Sequence, residues 1–204
     1  MKNLQSKTVL NNGVEMPWFG LGVFKVEEGP ELVEAIKSAI KAGYRSIDTA
    51  AIYGNETAVG EGIRAIGVSN FQIHHLQDVI KDAEIKPMIN QVEYHPRLTQ
   101  KELQAFCKEQ GIQMEAWSPL MQGQLLDNET LQAIADKHGK TTVQVILRWD
   151  LQNGVITIPK STKEHRIIAN ADVFNFELTK EDMEKIDALN QNHRVGPDPD
   201  NFDF

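Results

Sequence analysis

Short apolar runs alternate with amphipathic helical stretches along most of this chain, and that alternation narrows its fold more than any other feature. A hairpin opens it, with Val9-Leu10 and Val14 to Met16 flanking an Asn11-Asn12-Gly13 turn. A strand is predicted over 19–23, interrupted by Gly20 and Gly22. A helix follows over 31–41, where Leu32, Ile36 and Ile40 recur on one face and Gly43 ends the run. Further strands are predicted over 46–50, 65–68, 88–94, 113–117 and 155–158. Helices are predicted over 56–63, 74–82, 101–110, 129–137, 142–151, 162–169 and 180–190. Thr99 with Glu102, Ser161 with Glu164, and Thr179 with Asp182 have the spacing of helix N-terminal caps. Leu103, Phe106 and Cys107 form the inner face of 101–110, and Met183, Ile186 and Leu189 that of 180–190. Strand-helix alternation implies a mostly parallel sheet with helices outside it, read as one domain across 1–204. Six repeating strands follow the hairpin, whereas a closed barrel of this kind takes eight and about 250 residues.

Composition sets outer bounds. With 41% hydrophobic and 25% charged residues the chain is globular rather than disordered. No apolar stretch of about 18 residues occurs, so no membrane span is expected. Residues 1–7 are polar and lack the apolar run of a signal peptide. The single cysteine fits a reducing cytoplasm. A net charge of −8 argues against nucleic-acid binding, though not against one small anion held by a local basic cluster.

One junction is odd. The helix ending at Ile63-Arg64 runs straight into Ala65-Ile66-Gly67-Val68, with no turn residue between. Helix-to-strand loops usually take about two to six residues. Either the helix frays early and Gly62 makes the turn, or something is missing there.

Six stretches resemble one family. They are Phe19-Gly20-Leu21-Gly22-Val23-Phe24, Gly43-Tyr44-Arg45-Ser46-Ile47-Asp48-Thr49-Ala50, Gly67-Val68-Ser69-Asn70-Phe71, Asn90-Gln91-Val92-Glu93-Tyr94-His95-Pro96, Trp117-Ser118-Pro119-Leu120 and Ile158-Pro159-Lys160-Ser161. In them, and in their order, the chain resembles the aldo-keto reductases, NADPH-dependent enzymes on an eight-stranded (β/α) barrel. The bacterial branch that reduces glyoxal, methylglyoxal and related small carbonyls is the nearest in look. In that family, two more strand-helix units separate the helix matching 56–64 from the strand matching 65–68. One unit carries a catalytic lysine and the next a catalytic histidine, and neither has a counterpart here. The resemblance therefore implies a TIM-type (β/α) barrel lacking two units, with a seam between Arg64 and Ala65.

By the same resemblance Tyr53 is the general acid that protonates the carbonyl oxygen, with Asp48 beside it. Taken alone, these two read as a solvated carboxylate and a half-buried ring. Ser69, Asn70 and Gln91 match the residues that hold the nicotinamide carboxamide, Trp117 the ring that stacks on it, and Ser118 and Leu120 the pyrophosphate loop. Lys160, Ser161, Thr162 and Arg166 match the adenosine 2′-phosphate site, and Asn170 an adenine contact. Ala169 stands where the family has an acidic residue, which departs from the pattern. A helix N-terminus with neighbouring cations suits a phosphate in any case. Phe24 and Ile52 would line the substrate pocket.

A phenol with a pKa of about 10 donates its proton reluctantly, and an unshielded Asp48 raises it further. Severely impaired reduction is therefore expected of a chain of this length. The alternative is a non-catalytic NADPH-binding remnant. A complete barrel implies a monomer; unpaired strand edges in a shortened one imply self-association. No metal site is expected. His74 and His75 are adjacent and so predicted to point apart on a helix, and His95, before Pro96, reads as a loop residue. The tail over 195–204, rich in Asp and Pro, is irregular and suited to cover the barrel mouth.

Overall fold

The computed structural model describes residues 3–24, 26–27, 29–48, 67–82 and 86–201. Tyr53, Ile52, the helix expected over 56–63 and the Arg64–Ala65 junction lie outside them. The opening hairpin pairs β1 (Lys7–Val9) with β2 (Glu15–Pro17) antiparallel. Its turn closes through Leu10 and Val14 and places Gly13 at φ 83°, where a side chain would be strained.

The rest is strand-helix alternation, as the sequence predicts. In order come β3 (Leu21–Gly22), α1 (Pro30–Ala42), β4 (Ile47–Asp48), β5 (Gly67–Ser69), α2 (Ile73–Asp82), β6 (Ile89–Glu93), α3 (Lys101–Gln110) and β7 (Gln113–Trp117). Then follow α4 (Glu129–His138), α5 (Thr142–Gln152), β8 (Ile156–Thr157), α6 (Glu164–Ala171) and α7 (Lys180–Asp187). Strands β5, β6, β7 and β8 form one parallel sheet in that order, and β3 pairs parallel with β4. Parallel bridges Phe19–Thr157 and Gly22–Lys160 join β3 to the β8 side. The strand array therefore runs β4–β3–β8–β7–β6–β5.

Period-2 alternation assigns each strand two faces. Phe19, Leu21 and Val23 pack in a core cluster with Leu32 and Ala39 of α1, Leu147 and Leu151 of α5 and Ile167 of α6. Val92, Met114 and Ala116 pack in a second cluster with Leu103, Cys107, Ile134 and Trp149. Leu120 and Phe176 touch both clusters. The opposite face carries Gly20, Gly22, Gln91, Glu93, Glu115 and Trp117, which is the inside of the array. Helix starts are fixed locally where the sequence allows it. Thr141–Gln144 and Thr179–Asp182 are capping boxes, and Asn128 accepts from the Leu131 N–H.

Two expected caps are not made. Gln100, not Thr99, sits at the N-cap of α3, in a left-handed conformation without a side-chain cap. Tertiary bonds outcompete the capping box there: the Thr99 N–H donates to Asn190 Oδ1, and Gln100 Nε2 donates to the Glu93 carbonyl. Likewise α6 begins at Glu164, because Ser161 Oγ accepts from the Lys163 N–H and closes a turn before the helix.

β3 passes close beside β8. A Cβ built on Gly22 would stand 2.7 Å from the Ile158 carbonyl oxygen, and one on Gly20 3.1 Å from the Ile158 side chain. Backbone cannot yield as a flexible side chain does. Gly22→Ala should therefore cost about 1–3 kcal/mol, the range of overpacked core sites, read as a lower urea midpoint. An unchanged midpoint would contradict this approach of β3 to β8.

Candidate active site

The polar residues of the inner face converge at the C-terminal ends of the strands, where barrels of this type carry their chemistry. Gln91 Nε2 donates to Asp48 Oδ1 at 2.7 Å and to Glu115 Oε1 at 2.7 Å. One amide group thus ties β4, β6 and β7 together across the interior. Burial raises the Asp48 carboxyl, against the lowering effect of the Gln91 bond. Burial, and then the neighbouring Asp48 charge, push Glu115 up to about 7.

A second group lies one layer above. Trp117 Nε1 donates to Asn70 Oδ1 at 2.7 Å, and the Asn70 N–H donates to the Gln91 carbonyl. Asn70 and Ser118, each directly after its strand, have φ of 61° and 52°. Left-handed backbone at non-glycine residues is costly and tends to gather at functional sites. Asn is among the non-glycine residues that adopt this backbone most readily, whereas nothing in the residue type marks Ser118.

Glu93 is fully buried and binds three donors, a role the sequence reading missed. Its carboxylate meets His95 Nε2 at 2.9 Å and accepts from the Val195 and Gly196 N–H groups at 2.6 and 3.1 Å. Burial alone would raise its pKa, but these bonds outweigh it and hold the carboxyl below its ordinary range. His95 is therefore a buried anchor, 0% exposed, within its loop. Gly196 lies so close to the Trp117 ring that any side chain there would clash. From there the tail continues until Asp200 stands 3.4 Å from His74 Nε2. The tail is thus tied to Glu93 at Val195 and Gly196 and approaches α2 at Asp200. The alternation of Gln91 and Glu93 on one strand face was the available hint that both point inward.

His74 and His75 do not point apart. Their ring centroids are 4.0 Å apart, and Asp200, far off in sequence, completes a three-residue cluster. His75 Nδ1 accepts from the Gln72 N–H, which puts the proton of a neutral ring on Nε2, facing Asp200. A nitrogen that carries a proton offers no lone pair to a metal, so the cluster reads as a tail contact.

The residues expected to hold a phosphate lie around the start of α6. Lys163 stands at the N-cap without a side-chain cap, so no side chain occupies the first-turn N–H groups. Lys160, Ser161, Thr162 and Arg166 surround this turn, and among the described residues neither Lys160 nor Arg166 forms an ion pair. Asn170, on the same helix, is 7% exposed. This donor set fits a dianionic phosphate with an adenine beside it. Ser69 is paired with Gln91 in the ladder, Leu120 is a core contact, and Phe24 is exposed.

Residues 61–191 match the model of the aldo/keto reductase family. Among curated relatives, the uncharacterized oxidoreductase YtbE of Bacillus subtilis is 55% identical over 277 residues, covering 99% of each chain. Glyoxal reductase of the same organism is 54% identical over 273 residues, again covering 99% of each. Both alignments are longer than the 204 residues of this chain, so each relative carries an internal stretch without a counterpart here. Among solved structures, a mutant of Gox0644 in complex with NADPH superposes with a TM-score of 0.91 at 31% identity, covering 98% of this chain and 99% of that one.

Two outcomes follow from the buried carboxylates. The folded protein holds the Glu115 proton more tightly than the unfolded chain, whose carboxyl titrates near 4.5. Stability present below that value is lost as pH rises through about 7. Glu115→Gln removes this loss, so its stability relative to the parent should climb between about pH 5 and pH 8, by at most ~1.4 kcal/mol per pH unit. Parallel melting curves across that range would refute the assignment. Glu93→Gln replaces one acceptor oxygen by a donor, and amide hydrogen exchange at Val195 and Gly196 should then speed up at least about tenfold. Unchanged protection would show that the tail is held by other contacts.

Proposed function

Because the chain belongs to the aldo/keto reductase family, we propose that it reduces glyoxal, methylglyoxal or a similar small carbonyl to the alcohol with NADPH. The observation that carries this reading is the meeting of Asp48 and Gln91 at 2.7 Å beside the Asn70–Trp117 pair, at the mouth of the strand array. NADPH supplies the hydride. Lys160, Ser161, Thr162, Arg166 and Asn170 bind its adenosine phosphate end through the uncapped start of α6. Ser118 and Leu120 flank the pyrophosphate path. Ser69, Asn70 and Gln91 meet the carboxamide, with the Trp117 ring against the nicotinamide. Tyr53 delivers the proton to the carbonyl oxygen as hydride arrives, and Phe24 and Ile52 border the small substrate.

The shortening supports a finer proposal. Among the described residues strands β4 and β5 end the array, and the sequence between them is too short for two more strand-helix units. The seam between Arg64 and Ala65 removes the units that carry the family's catalytic lysine and histidine. By the family's arrangement, Tyr53 would then meet the carboxyl of Asp48 without the lysine that shields it, and its proton would be harder to release. Loss of positioned acid-base assistance costs about 10²–10⁴ in rate. A barrel so shortened also exposes strand edges and self-associates.

An NADPH titration by fluorescence, paired with a methylglyoxal reduction assay, tests both parts. Binding with turnover about 10²–10⁴ below that of a full-length relative is the expected result, with Tyr53→Phe abolishing what remains. Turnover equal to the relative's would overturn the impairment. Binding without any reduction would favour a non-catalytic NADPH-binding remnant.

A further inference from the structure

Glu115 is 4% exposed, and among the described residues its hydrogen-bond partner is Gln91 alone. No cation forms an ion pair with it among those residues. Burying a carboxylate beside a second carboxylate, with a single amide for company, is costly. A neutral acceptor at this position would satisfy the same N–H without burying a charge, so the carboxylate points to a task.

The task is legible in the amide itself. A glutamine side chain carries two N–H donors and one carbonyl acceptor, and by turning over it can present either end. One carboxylate partner engages a single N–H. Here Asp48 Oδ1 and Glu115 Oε1 each stand 2.7 Å from Nε2, so both N–H groups are taken. Turning the amide over would face its carbonyl oxygen against two carboxylates. Only the Oε1 acceptor is left for anything that enters the mouth. Ladder register places Glu115 directly opposite Gln91 on the neighbouring strand, so the contact needs no long reach.

We infer that Glu115 is a positioning residue: with Asp48 it locks the Gln91 amide so that this side chain offers only an acceptor, matched to the N–H donors of a nicotinamide carboxamide. This rests on the reading of the protein as an NADPH-dependent reductase. Glu115 acts through Gln91 and does not itself touch the reactants. Burial raises its carboxyl to about 7, so the lock is strongest above that pH, where the group is ionised and can only accept.

The test compares two ligands that share everything except the nicotinamide: NADPH and 2′-phospho-ADP-ribose, each titrated against the full chain. Glu115→Met keeps the side-chain length but removes the acceptor. It should weaken NADPH about tenfold, the scale of one charge-assisted hydrogen bond, and move 2′-phospho-ADP-ribose by less than about twofold. Glu115→Gln restores an acceptor and should bring NADPH affinity back to within about threefold of the parent. Equal weakening of both ligands by Glu115→Met would mark a general structural loss and overturn the inference. So would an unchanged NADPH affinity, or a failure of Glu115→Gln to restore it. A parent chain that binds neither ligand overturns the reductase reading itself, and this inference falls with it.

Discussion

The close passage of β3 beside β8 is the constraint on which the rest of the structure depends. Among the described residues, the bridges that join the two parallel sheets lie there, at Phe19–Thr157 and Gly22–Lys160. Two glycines on the inner face make the approach possible, because Ile158 fills the space where side chains would stand. From this contact the geometry follows outward. It carries β4 round to the interior of the sheet and sets Asp48 against Gln91. On the outer face it presses Phe19, Leu21 and Val23 into the helices α1, α5 and α6. A ladder held apart at this point would leave two separate sheets and no shared interior.

That interior is polar where a simple core would be apolar. Asp48, Gln91 and Glu115 lie in one layer, with Glu93 above it. The four side chains divide into two kinds of work. Glu93 is saturated by donors from its loop and from the tail, and its charge is stabilised. Asp48 and Glu115 share one amide, and burial disfavours their charge. The mouth therefore sets a well-compensated anion that anchors chain next to a poorly compensated pair that constrains a side chain. Folding free energy is spent at the second in order to fix orientation.

Much of this was legible in the sequence, because strand and helix periods are local. Leu32 and Ile36 announced α1 and Gly43 its end, although Ile40 proves exposed and Ala35 and Ala39 complete the buried face, and Thr179 with Asp182 announced the start of α7. The motifs that carry the family resemblance set Asp48 and Trp117 at strand ends and Gln91 within its strand. What escaped was decided by contacts distant in sequence. Thr99 lost its capping role to Asn190, and the His74–His75 pair was turned together against Asp200. Glu93 looked ordinary because two of its donors, the Val195 and Gly196 N–H groups, lie about a hundred residues further on, and His95 is held in turn by Glu93. The left-handed turns at Asn70 and Ser118 carry no glycine to advertise them.

Cys107 has a consequence of its own. It is the chain's lone sulfhydryl, sealed on the inner side of α3, and burial pushes its pKa up to about 11. Alkylating and disulfide-exchange reagents attack the thiolate of an accessible cysteine, and this one is neither ionised nor reachable while the helix stays docked. Each modification event must wait for that side of the core to open. The molecule thus contains a built-in stopwatch: the rate at which it takes up a thiol-specific dye reports how often its larger apolar cluster comes apart.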